Sequence, residues 1–130
     1  MDNEKKEILP KTQDKSFWCV VANIKEEIQF GTDGKEIKSG LKKFKAGAKV
    51  YIVYTGFGMN EHIVVIGQYR CSNKYISCII KISAIENLRI KKVYSKRIIK
   101  MVENYNYIEI LTKEKAEKIY RILPSWINYK

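Results

Sequence analysis

His62-Ile63-Val64-Val65-Ile66-Gly67-Gln68-Tyr69-Arg70 leads through Cys71-Ser72-Asn73-Lys74 into Tyr75-Ile76-Ser77-Cys78-Ile79-Ile80-Lys81-Ile82, and the fold follows from this stretch. Both halves are rich in β-branched and aromatic residues, and four turn-forming residues separate them. In the second half Ile76, Cys78, Ile80 and Ile82 fall on one side of a strand. Tyr75, Ser77, Ile79 and Lys81 fall on the other. Two such runs across a tight turn predict an antiparallel hairpin. Gly67 sits inside the first run as a bulge or kink would.

Working upstream, Tyr54–Glu61 carries Gly56, Gly58 and Asn60 and predicts a loop. Before it, Phe44 to Val53 places an apolar anchor, a glycine turn at Gly47 and a β-branched strand in succession. Many small SH3-like barrels enter a barrel strand in this way. Gly31-Thr32-Asp33-Gly34 is a turn signal. Phe17-Trp18-Cys19-Val20-Val21-Ala22-Asn23-Ile24 shows no polar alternation before Asn23, so it predicts a strand buried on both faces. Residues 1–15 mix acids and lysines around Pro10 and predict a flexible tail.

Downstream, Leu88–Tyr94 predicts a strand, and Ser95–Val102 a short helix with Ser95 as N-cap. Asn106–Leu111 suits a last strand. Thr112 caps a C-terminal helix over about 112–123, in which Ala116, Ile119, Tyr120 and Leu123 keep helical spacing. Pro124 is expected to stop it. The expected architecture is one mainly β (α+β) domain over 16–130. It is a small antiparallel, SH3-like, partly open barrel with a short helix and a C-terminal helix.

Composition supports a single soluble domain. The chain has 130 residues, of which 45% are hydrophobic, enough to fill a core without disulfides or metal. No apolar run approaches the roughly 20 residues that span a bilayer. The opening Met1-Asp2-Asn3-Glu4-Lys5-Lys6-Glu7 has no signal-peptide character. The three cysteines, Cys19, Cys71 and Cys78, are odd in number and form no paired motif. The expectation from these features is a cytoplasmic protein, with Cys19 and Cys78 as small buried apolar residues.

The net charge is +11, and two segments hold all of it. Lys35–Lys49 carries six lysines against one acid, Glu36; Arg89–Lys100 carries six basic residues and no acid. AT-rich codon usage raises lysine content but scatters it, so clustering points to a surface. The candidate partner-binding residues are Lys42, Lys43, Lys45, Lys49 and Tyr51 from the first segment. Arg89, Lys91, Lys92, Lys96 and Arg97 come from the second. Basic residues beside tyrosines suit single-stranded nucleic acid, and they suit a protein interface equally. Arginine, the preferred phosphate ligand, occurs only at Arg70, Arg89, Arg97 and Arg121.

Catalytic signatures are missing from the sequence. His62 is the single histidine and reads as a strand-edge residue. No G-x-S-x-G elbow occurs, the cysteines lack zinc spacing, and Gly56-Phe57-Gly58 precedes a strand where a phosphate loop precedes a helix. No catalytic residue, metal or cofactor is expected, and the chain reads as a binding protein.

The segments Phe17–Ile24, Gly47-Ala48-Lys49-Val50-Tyr51, Ile63–Arg70 and Val93-Tyr94-Ser95 resemble a family of small, uncharacterised bacterial proteins. The resemblance covers roughly residues 17–102. Proteins of this sort look like immunity proteins encoded beside secreted polymorphic toxins. It implies a cytoplasmic protein that neutralises a cognate toxin by protein–protein contact, and it assigns no residue, because immunity proteins recognise toxins through varied surfaces. The other reading is an SH3-like module binding RNA or single-stranded DNA.

Overall fold

The computed structural model describes residues 16–30, 42–55, 62–69, 74–104 and 112–128. Seven strands occur in it: β1 (Phe17–Ile24), β2 (Ile28–Phe30), β3 (Lys42–Phe44), β4 (Lys49–Tyr54), β5 (His62–Gln68), β6 (Tyr75–Lys81) and β7 (Ile85–Val93). Two α-helices follow, α1 (Lys96–Asn104) and α2 (Lys113–Asn128). The described residues are thus mainly β with two α-helices. The expected tail, the Gly31–Gly34 turn, the loop after Thr55, Cys71 and the strand at 106–111 lie outside the described residues.

Five strands form one antiparallel sheet in the order β6-β5-β4-β1-β7, and β2 pairs with β3 as a separate hairpin. The sheet stays open, with β6 and β7 as its edges. These two edge strands are consecutive in sequence, joined only by a 3-10 turn at Ile82–Ala84. In a flat sheet they would stand four strand spacings apart, roughly 19 Å. The extended chain from Lys81 to Ile85 reaches about 14 Å. Strong coiling of the sheet resolves this mismatch.

Both faces of the central strands are buried, as the unbroken apolar run in β1 implies. On one face Val20, Ala22, Ile24, Val50, Ile52, Ile63, Val65, Cys78 and Ile80 form a core. The β2–β3 hairpin adds Ile28 and Phe44 to it, and α2 adds Ala116 and Leu123. On the other face Phe17, Cys19, Val21, Tyr51, Val53, Val64 and Ile66 pack with Ile98, Ile99 and Val102 of α1. The faces below are named by their helices.

The hairpin pairs as its pattern demands, with Val65 opposite Cys78 and Ile63 opposite Ile80. Gly67 does not bulge there, for it pairs regularly with Ile76 on one side and Val50 on the other. Its role is close approach. A Cβ built at Gly67 would lie 2.9 Å from Val50 Cγ1 and 3.1 Å from Phe44 Cε1. Only glycine lets the Phe44 ring settle onto β5. The irregularity falls instead in β4, between Ile52 and Tyr54.

The helix starts match their sequence signals. Ile98 N–H donates to Ser95 Oγ at 3.3 Å, and Lys115 N–H to Thr112 Oγ1 at 3.2 Å. The expected stop at Pro124 is wrong, since α2 continues to Asn128. Proline removes its own N–H donor and crowds the carbonyl of Tyr120. That costs one hydrogen bond without forbidding another turn once Ala116 and Leu123 anchor the helix on the sheet.

Candidate binding surface

Strand pairing brings the two basic segments together across the α1 face of the sheet. Arg89 lies opposite Val21, Val21 opposite Tyr51, and Tyr51 opposite Ile66, so one row crosses four strands. Beside it, Asn23 of β1 faces Lys49 of β4. Arg89 Nη1 donates to Asn23 Oδ1 at 2.9 Å and to the Asn87 carbonyl at 2.7 Å. Asn23 Nδ2 in turn donates to the Gly47 carbonyl at 2.9 Å. Both segments are thereby tied through β1.

Two local backbone devices build this arrangement. Lys45–Ala48 is a tight turn in which the Ala48 N–H donates to the Lys45 carbonyl at 3.0 Å. Gly47 has φ +87°, which an L side chain resists. Asn87 sits at φ +57° where the β1–β7 register shifts, a bulge that turns the Asn87 carbonyl toward Arg89.

The Lys49 ammonium lies 5.7 Å from the centre of the Tyr51 ring. Tyr51 is only 9% exposed. Burial raises its hydroxyl pKa above the ordinary 10.0, while the Arg89 charge pulls the other way. A hollow of about 350 Å³ opens here, bounded by the Lys45–Lys49 segment, Tyr51, Gln68 and Tyr75. Tyr75 is shared with a shallower hollow of about 630 Å³ that also meets Tyr69, Lys74, Arg97, Lys100 and Met101. The two hollows adjoin at Tyr75 and are together called the groove below. Among the described residues its charged lining is Lys45, Lys49, Lys74, Arg97 and Lys100, with no carboxylate.

The remaining candidates part from this groove. Lys91 stands opposite Cys19 and faces the α1 side, exposed. Lys43 turns to Glu27, 3.8 Å away across the β2–β3 hairpin, and both side chains are well exposed. Lys42 opens β3, where it pairs with Phe30. Lys96 is exposed on the first turn of α1. Lys92 projects from the opposite, α2 face, because it stands opposite Trp18.

There the Lys92 ammonium lies 5.8 Å from the Trp18 ring and 5.9 Å from the Tyr94 ring. Lys113, at the start of α2, lies 5.1 Å from the same indole. This corner forms a basic ridge along the β7 edge. Sequence reading passed over Lys74, Tyr75, Lys100 and Lys113, none of which was singled out. Only Lys100, inside the second basic segment, carried a signal; the others depend on contacts between distant parts of the chain.

Cys19 and Cys78 are buried free thiols, and His62 stands at the start of a strand. Cys19 is buried and donates to the Ile52 carbonyl at 3.1 Å, and burial pushes its pKa well up, away from thiolate chemistry. Cys78 is buried in the opposite core. His62 opens β5, and its buried Nδ1 has no hydrogen-bond partner among the described residues. Among the described residues no three His, Cys, Asp or Glu side chains gather as metal ligands. Likewise, no described helix is long and apolar enough to cross a membrane. Comparison with known protein families, with curated proteins and with solved structures finds no match.

Proposed function

We propose that this chain is a non-catalytic cytoplasmic immunity protein that neutralises a cognate bacterial toxin by protein–protein contact. Its groove receives an acidic surface of that toxin. One observation carries the reading: five cations and three tyrosines from separate elements line two adjoining hollows, and no carboxylate of the described residues lines either. Tyrosine rings set beside cations make interface hot spots, and a one-signed field speeds the encounter with an acidic partner. The resemblance across residues 17–102 points the same way.

The finer architecture of this reading is an SH3-like barrel. Three features support it: the first strand lies between β4 and the last strand, a long excursion carrying a hairpin separates β1 from β4, and a 3-10 turn precedes β7. Co-expression with the product of the neighbouring gene tests the function. A stable complex and restored growth are expected. Lys49→Glu with Arg97→Glu should slow association by about tenfold or more at low salt. Absence of both complex and rescue overturns the proposal.

A further inference from the structure

We infer that the ridge on the α2 face is a separate binding site, for single-stranded nucleic acid, in which Lys92 and Lys113 meet phosphates and Tyr94 stacks on a base. The inference does not depend on the immunity reading, since the groove lies on the other face. Two ammonium groups are gathered at one indole, at 5.8 and 5.1 Å from its centre. No described carboxylate lies within 4.0 Å of either. The indole holds both cations in place, so little ordering remains for a ligand to impose on them. Their charge is therefore available to an external anion.

The second element is Tyr94. It is 65% exposed, the most exposed large apolar side chain among the described residues, and it follows directly on β7. The Lys92 ammonium lies 5.9 Å from its ring, and exposed Lys96 follows two residues on. A projecting ring among ammonium groups differs from the groove, where Tyr51 is enclosed. Protein hot spots favour enclosed anchors that exclude water. Bases of a single strand instead need an open ring to stack on, with cations alongside for the phosphates. The ridge offers that combination.

The experiment uses the full chain with Trp126→Phe, so that Trp18 is the sole tryptophan and reports events at the ridge. The probe is an oligothymidylate of about a dozen nucleotides, titrated over a range of salt. Binding is expected to change Trp18 emission and to weaken steeply with salt. Tyr94→Ala should lower affinity roughly 5- to 150-fold. Lys92→Gln with Lys113→Gln should reduce the log–log salt slope by about 1.4. Lys49→Glu, in the groove, should leave oligonucleotide binding unchanged. The inference is overturned if no binding occurs at low salt, or if Tyr94→Ala and the double Gln variant bind like the parent. A polyglutamate peptide that binds at the ridge in place of the oligonucleotide overturns it too.

Discussion

Beside the groove, Arg89 is fixed by hydrogen bonds to Asn23 and Asn87; within it, Tyr51 is enclosed and a glycine turn sets the position of Lys49. On the ridge, Lys92 and Lys113 lie over aromatic rings, and Tyr94 stands in solvent. The two regions share their residue types and sit on opposite faces of one sheet. They differ in how deeply their cations are built into the backbone. A cation bonded to main-chain carbonyls belongs to the fold, so its removal unsettles the protein. A cation resting on an exposed ring leaves the fold alone and matters chiefly to whatever binds.

The sharpest way to break this contrast is to remove the support of the groove wall. Phe44 is fully buried against Gly67 and holds the β2–β3 hairpin on the sheet. Phe44→Ala should cost about 3–5 kcal/mol in denaturant unfolding. A loss under about 1 kcal/mol would mean that the groove wall is not anchored as described. Next in size, Arg89→Ala removes two hydrogen bonds from a half-buried guanidinium and should cost about 1–3 kcal/mol. Lys92→Ala should stay within about 0.5 kcal/mol of the parent, as surface changes do. Equal losses from the two variants would erase the distinction between groove and ridge.

The smallest effect concerns pH. The folded chain raises the pKa of Tyr51 above 10.0, so above that pH it keeps a proton that the unfolded chain releases. Stability present below pH 10 is therefore lost as pH rises toward the folded value. Thermal melts from pH 8 to 11 should show a gentler alkaline decline for Tyr51→Phe than for the parent. An identical decline would place the ring in water.

Much of the sheet was legible because local pattern and tertiary role agree. Alternation in Tyr75–Lys81 sets both register and faces, and the unbroken apolar run at Phe17–Ile24 matches a strand covered on both sides. Ser95 and Thr112 cap helices through contacts three residues away. Gly67 was misread because its reason lies in Phe44, a residue on another element. Pro124 was misread because a helix held by packing tolerates a local penalty. For the sites, sequence clustering found Lys49, Tyr51 and Arg89 but could not show that Lys91 and Lys92 point to opposite faces. Lys113 reaches Trp18 only through the packing of α2 on β1 and β7.

The short turn between β6 and β7 also bears on how the chain assembles. Strands β4, β5 and β6 are successive neighbours, so that meander forms by closing local loops. Strand β7 must instead return to β1, at the start of the described chain, and loop-closure entropy opposes that step until the pairing is made. Pairings so distant in sequence place a domain among the slower two-state folders, in the range of milliseconds to seconds. Lys92 travels on β7, and Arg97 and Lys100 on the helix that follows it. The ridge and the helical side of the groove are therefore completed by one late event, and a state holding only the meander would have the Tyr51 side of the groove alone.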